Sequence, residues 1–128
     1  MPTSQIRLSV PAEPEFARSV RMLAANLAVV CGMGIDDVED VRMACEEAFV
    51  FACATGPSSV SVAFSASEGR LDSEFSLGTD RKPTADPSAE PAWAYADIIL
   101  SAVCDSYEVD VEAGVLRLAK RTDVAHAS

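Results

Sequence analysis

The spacing of apolar residues switches between two periods along this sequence, and these switches limit the folds that the chain can adopt. Residues 6–10 and several segments after residue 59 alternate apolar and polar side chains, which is the period of a half-buried strand. From Phe16 to Ala54, apolar residues instead recur every three or four positions, as in an amphipathic helix, and Gly32 and Gly34 divide this stretch in two. The predicted elements are a strand near residues 6–10, helices near 14–31 and 36–54, strands near 60–64 and 71–77, a helix near 93–103, and strands near 107–111 and 115–119.

This order of elements indicates an α/β fold. Helices interleaved with antiparallel hairpins are typical of a two-layer sandwich, in which the helices cover one face of a mixed, mostly antiparallel sheet. A chain of 128 residues is long enough for one buried core and too short for two. We therefore predict a single domain over residues 1–128, with its core in residues 5–121. Residues 78–91 contain three prolines and form the one long irregular stretch, which at this length is expected to be functional or disordered.

The chain is strongly acidic, with 20 acidic residues against 10 basic residues and a formal net charge of −10. Such a surface repels nucleic-acid phosphates and anionic lipid headgroups, so we expect no nucleic-acid partner and no membrane binding. The negative charge is compatible with a basic protein partner, and it is explained equally well by the need to keep the protein soluble. The longest nearly apolar run, residues 24–33, is too short to span a membrane, and residues 1–7 lack the pattern of a secretion signal. These features predict a cytoplasmic protein.

The four cysteines do not predict a metal site. They form no CxxC pair, and the one histidine of the chain, His126, lies in a polar C-terminal tail. We therefore expect no bound metal, and we expect free thiols that pack as small apolar side chains. The cysteines are Cys31, Cys45, Cys53 and Cys104.

Several segments resemble the anti-sigma-factor serine kinases, a bacterial group within the histidine-kinase-like ATPase superfamily. Residues 35–48, which read IDDVEDVRMACEEA, are similar to the second helix of that family. Residues 10–16, which read VPAEPEF after the first strand, look like the family's common start, and residues 105–120 with Gly114 look like its last two strands. In this order the similar segments cover about residues 5–121. The resemblance implies the histidine-kinase-like ATPase fold.

The positions that bind nucleotide in this family depart from its pattern here. The family's general-base glutamate matches Glu47, but Phe51 stands four residues later, where the family has the asparagine that ligates Mg²⁺. Leu77 stands where the family has the aspartate that binds the adenine amino group, and Gly78 follows it. Residues 91–95, which read PAWAY, replace the glycine-rich segment that approaches the phosphates. The resemblance therefore implies a degenerate pocket, a vestigial Glu47 and no bound cofactor, and we expect Phe51 and Leu77 to be buried.

The leading functional hypothesis is a non-enzymatic regulatory module of the anti-sigma type. As the resemblance implies, it would bind a sigma factor or an anti-anti-sigma protein and would form a homodimer. The segment Phe16-Ala17-Arg18 resembles the family's sporulation kinase, in which the equivalent arginine engages both partners. Arg18 and nearby Arg21 are therefore the candidate partner-binding residues. The alternative is that these cations are solvated or offset nearby carboxylates.

Two other functions stay open. A working ATP-dependent serine/threonine protein kinase with an atypical site would use Glu47 as its base, Asp80 for adenine, and Mg·ATP as its cofactor. An orphan domain would instead bind an unrelated small molecule in the altered pocket. Phe51 distinguishes the kinase hypothesis from the leading hypothesis, because a kinase needs a side-chain oxygen for Mg²⁺ at this position. Phe51 has none, and neither Val50 nor Ala52 beside it could supply one.

Overall fold

The computed structural model describes residues 2–78 and 91–122 of the chain. Every element predicted from the apolar spacing is present, with boundaries shifted by a few residues at most. Pro14 opens a short 3-10 turn that leads into the first helix, and the third helix begins at Pro91 rather than at Trp93. Most of the irregular stretch predicted over residues 78–91 lies outside the described residues. The elements are β1 (Ser4–Pro11), α1 (Ala17–Val30), α2 (Ile35–Ala54), β2 (Ser59–Ser67), β3 (Arg70–Ser76), α3 (Pro91–Val103), β4 (Ser106–Asp110) and β5 (Val115–Arg121).

The five strands form one sheet in the order β1-β2-β3-β5-β4, with three helices packed on it, which confirms the predicted fold class. All four strand pairings are antiparallel, whereas the sequence had predicted a mixed, mostly antiparallel sheet. Two features of the topology explain the difference. The α1–α2 hairpin returns the chain to the sheet antiparallel to β1, and β5 lies between the parallel strands β3 and β4, so these two strands never pair.

The core lies between the helices and one face of the sheet, because every second strand residue points toward the helices. On the helical side, α1 buries one stripe and α2 buries a wider face that includes Phe49 and Phe51. Among the described residues, no helix is long and apolar enough to cross a membrane. The buried residues of the three central strands are Val60, Val62, Phe64, Ala66, Leu71, Ser73, Phe75, Leu116, Leu118 and Ala119.

The opposite face of the sheet is polar and carries ion pairs between neighbouring strands. Arg117 on β5 donates to Glu74 on β3 at 3.1 Å, and to Glu108 and Asp110 on β4 at 3.2 Å and 2.7 Å. These side chains are partly or largely exposed, so the ion pairs contribute little to stability. The sandwich therefore has two layers. Its helical layer carries Arg18, Arg21, Glu47 and Phe51, whereas Leu77 and Gly78 follow β3.

Candidate functional site

Three aromatic rings join α2, α3 and β4 where the sequence predicted a degenerate pocket. Phe51 on α2 is only 1% exposed, and its ring centroid lies 5.0 Å from that of Trp93 on α3 at an interplanar angle of 58°. Trp93 in turn lies 6.1 Å from Tyr107 on β4. The Tyr107 hydroxyl donates to the carboxylate of Asp97 on α3. Tilted ring pairs at these separations are favourable, so the rings stabilise the packing of α3 against α2 and against the edge strand β4.

The end of β3 meets the end of α2 through one glycine and one threonine. The backbone N–H of Gly78 donates to Thr55 Oγ1 at 2.7 Å, and Thr55 Oγ1 donates to the Ala52 carbonyl at 2.6 Å. A Cβ atom placed on Gly78 would lie 2.2 Å from the Thr55 carbonyl oxygen. Gly78 is therefore required by the close approach of two backbone segments, a role that its sequence position did not indicate. Leu77 beside it is buried in the same core as Phe51.

Glu47 lies on α2 one turn before Phe51 and is half-buried. Burial raises the pKa of its carboxyl, and the neighbouring Glu46 raises that pKa further. Glu46 itself accepts a hydrogen bond from Arg21. A carboxylate with a raised pKa is a better proton acceptor than a free one, so Glu47 keeps one property of a general base.

A Glu47→Gln substitution is expected to remove a pH-dependent loss of stability. Because the pKa of Glu47 is raised in the folded state, folding favours its protonated form. Its ionisation therefore destabilises the wild type as pH rises from the unfolded pKa through the folded pKa. The variant should gain stability relative to wild type over that rise and keep the gain at neutral pH. Urea unfolding at several pH values measures this difference, and a difference that stays constant across the series would contradict the burial of this carboxyl.

The two candidate partner-binding arginines have different surroundings. Arg18 is exposed, and among the described residues it has no ion pair or hydrogen bond through its side chain. Arg21 lies on the side of α1 that faces α2, where its guanidinium contacts the Glu46 carboxylate at 3.3 Å. Arg18 is thus available for an outside partner, whereas Arg21 links α1 to α2. The Arg21–Glu46 pair could not be read from the sequence, because it depends on how α1 packs against α2.

The cysteines are free thiols in varied surroundings. Cys31 and Cys45 are buried, while Cys53 and Cys104 are partly exposed. Burial raises the pKa of Cys45 to about 12, so this thiol stays protonated at neutral pH and is a poor nucleophile or metal ligand. Within residues 2–78 and 91–122, no group of three or more His, Cys, Asp or Glu side chains is placed to hold a metal ion.

Comparison with known proteins identifies the fold. No protein-family profile matches the sequence, and no curated protein matches it either. A crystal structure of the RsbU and RsbW domains of Rv1364c from Mycobacterium tuberculosis is similar to 94% of this chain, with a TM-score of 0.63 and 18% sequence identity. The match covers 32% of that longer chain. At this identity the similarity establishes a shared fold, in agreement with the α/β sandwich expected from the sequence.

Proposed function

We propose that this chain is a regulatory protein-binding module of the anti-sigma type that works without nucleotide. The observation that carries the proposal is the contact between Phe51 and Trp93, at the positions where the family resemblance puts a magnesium ligand and a phosphate-binding segment. The structural neighbour with RsbU and RsbW domains supports an anti-sigma type of regulator.

Aromatic side chains at these positions oppose ATP binding for two physical reasons. A triphosphate needs Mg²⁺ and backbone donors to offset its charge, and a phenyl ring offers no oxygen to the metal. With Leu77 in place of an aspartate, the adenine amino group would lack its acceptor, which costs about 1–3 kcal/mol. Partner exchange would then depend on competition or concentration instead of on ATP and serine phosphorylation.

The exposed face of α1 is the proposed contact for the partner. Arg18, Met22 and Val29 share this face, because they are separated by four and seven residues along the helix. Met22 is 64% exposed and Val29 is 60% exposed. A free guanidinium followed by two exposed apolar side chains suits a sigma factor or an anti-anti-sigma protein that presents a carboxylate beside apolar residues.

An Arg18→Ala variant is expected to bind its partner at least about tenfold more weakly than wild type, because it loses a charge-assisted hydrogen bond at the interface. The partner is first captured from the native host with wild-type protein, and the affinities are then measured by calorimetry. Arg42→Ala is the matched control, since Arg42 is a partly exposed arginine on α2 whose charge is already paired with Glu39 at 2.8 Å.

Equal affinities for Arg18→Ala and wild type would exclude α1 as the contact while leaving the fold assignment intact. If wild type captures neither a sigma factor nor an anti-anti-sigma protein, the anti-sigma proposal fails. That result would favour the alternative of an orphan domain that binds an unrelated small molecule. Addition of Mg·ATP or Mg·ADP should not change the measured affinity, because the proposed module does not use nucleotide.

One observation favours the kinase alternative, namely the raised pKa of Glu47. In that function Glu47 would accept the proton of a serine hydroxyl on the partner. Asp80, its candidate adenine ligand, lies outside the described residues. The test is phosphate transfer from Mg·ATP to the captured partner, compared between wild type and Glu47→Gln.

A further inference from the structure

The sheet ends on one side in a long strand that pairs with one neighbour. β1 and β4 are the two edge strands, because the strand order is β1-β2-β3-β5-β4. β1 has eight residues, and its pairing with β2 runs without a break from Ser4 opposite Ala66 to Pro11 opposite Ser59. β4 has only five residues and carries two carboxylates. Edge strands are commonly kept from pairing by shortness, charge or a bulge, and β1 is neither short nor bulged.

The antiparallel geometry identifies which backbone groups of β1 face the open edge. In such a pair, residues that bond to the neighbouring strand alternate with residues that point away from it. The Ala12 N–H donates to the Ser58 carbonyl at 3.2 Å, and this pair continues the register of β1 with β2. The even-numbered residues of β1 therefore bond to β2. The N–H and C=O groups of Gln5, Arg7 and Ser9 point to the open edge.

These three residues offer a row of free backbone groups. Their side chains are exposed, and within the described part of the chain no backbone group bonds to their N–H groups. The residues on both sides of them in the chain, and the strand β2 beside them, are all described. A row of unpaired donors and acceptors along an edge is a template for an added strand.

The side chains of β1 define the kind of strand that fits this edge. Arg7 is the one charged residue of β1, and among the described residues its guanidinium has no ion pair or hydrogen bond. On the other face of the strand, Ile6 and Leu8 are half-buried and pack against the core. Residues directly opposite each other in a ladder share a face and interact. A matching strand therefore has a carboxylate opposite Arg7 and apolar residues opposite Ile6 and Leu8.

We propose that β1 binds an extended segment of a protein partner as an added antiparallel strand, with an acidic residue of that segment opposite Arg7. The main chain at Gln5, Arg7 and Ser9 supplies the hydrogen bonds, and the Arg7 side chain supplies selectivity. A second copy of β1 does not meet this requirement, because the antiparallel register that pairs all three residues sets Arg7 opposite Arg7. The site goes beyond the proposed contact on α1 and does not depend on it.

Amide exchange measured by NMR with the peptide VTVEVTV, acetylated and amidated at its ends, tests the added strand. The central glutamate of the peptide matches Arg7. In the free chain, the amide protons of Gln5, Arg7 and Ser9 should exchange much faster than those of Ile6 and Leu8, which bond to β2. With an expected dissociation constant of about 100 μM, about 1 mM peptide should slow the first three about tenfold and leave the other two unchanged.

Two changes of charge test the role of Arg7. The peptide VTVKVTV is the matched control, because its lysine repels Arg7, and it should bind about fivefold more weakly than VTVEVTV. The Arg7→Glu variant should reverse this preference. Equal binding of the two peptides to wild type would contradict the pairing, as would a preference that Arg7→Glu leaves unchanged.

A Ser9→Pro substitution tests the role of the backbone. It removes one donor from the open edge without removing a bond to β2, so VTVEVTV should bind at least about tenfold more weakly. Ser9→Thr keeps the donor and should bind like wild type. Slow exchange of Gln5, Arg7 and Ser9 in the free chain would overturn the proposal, because another part of the chain would then cover the edge. Absence of binding by wild type at about 1 mM peptide would overturn it as well.

Discussion

A Phe51→Ala variant is expected to lose about 3–5 kcal/mol of its free energy of unfolding, the usual cost of removing a buried phenyl ring. Phe51 is 1% exposed, and its ring fills the space between α2 and α3. Without it, Trp93 loses one of its two ring contacts and a cavity opens beneath α3. The same cavity would loosen the attachment of α3 to the rest of the fold.

Trp93 makes the effect directly measurable, because it is the one tryptophan of the chain. Urea unfolding followed by tryptophan fluorescence gives the stability, and the native emission of the variant should shift to longer wavelength as water reaches the indole. Phe51→Leu is the control, since it keeps most of the volume and should cost less than about 1.5 kcal/mol. A loss below about 1 kcal/mol for Phe51→Ala would mean that the ring does not hold the helices together.

A Gly78→Ala variant is expected to lose about 2–4 kcal/mol, since it combines a steric clash with a broken hydrogen bond. The added Cβ would lie 2.2 Å from the Thr55 carbonyl oxygen and 3.0 Å from the Pro57 nitrogen, and both are backbone atoms that cannot turn aside. Moving the chain to relieve this clash would separate the Gly78 N–H from Thr55 Oγ1, which now lie 2.7 Å apart.

Gly34→Ala is the matched control for Gly78→Ala. A Cβ on Gly34 meets nothing within 4 Å, and the backbone there has a φ of −79° that any residue adopts. The variant should lose less than about 1 kcal/mol, because Gly34 is the N-cap of α2, where alanine is less favourable than glycine. Both values come from equilibrium urea denaturation. Similar losses for the two variants would show that the contact with Thr55 is not the source of the cost, because the reduced freedom of the unfolded chain would by itself stabilise both variants.

The sequence predicted the elements of this fold because each one shows its apolar period over enough residues to be recognised. Alternation over residues 6–10 and the helical spacing from Phe16 to Ala54 are local patterns that the folded structure reproduces. The pairing of the strands is not local. Whether β5 inserts between β3 and β4 depends on which strand edges meet after α3 crosses the sheet. The sequence therefore predicted a mixed, mostly antiparallel sheet, and the structure is antiparallel in every pairing.

The same distinction applies to the candidate site. Phe51 and Leu77 were expected to be buried because apolar residues replace polar ones in a recognisable segment, and the structure buries both. The partners of these residues could not be predicted. The contacts of Arg21 with Glu46, Gly78 with Thr55, and Tyr107 with Asp97 join residues 10 to 25 positions apart, and each depends on how two elements pack.

Calorimetric titration of the purified chain with Mg·ATP tests the central claim most directly, because it asks whether the position filled by Phe51 and Trp93 accepts nucleotide. Our proposal predicts no binding tighter than about 100 μM, which corresponds to about −5.5 kcal/mol. It also predicts no change in Trp93 fluorescence during the titration. Saturable binding of Mg·ATP with a dissociation constant below this value, together with a change in Trp93 emission, would contradict the claim and favour the kinase.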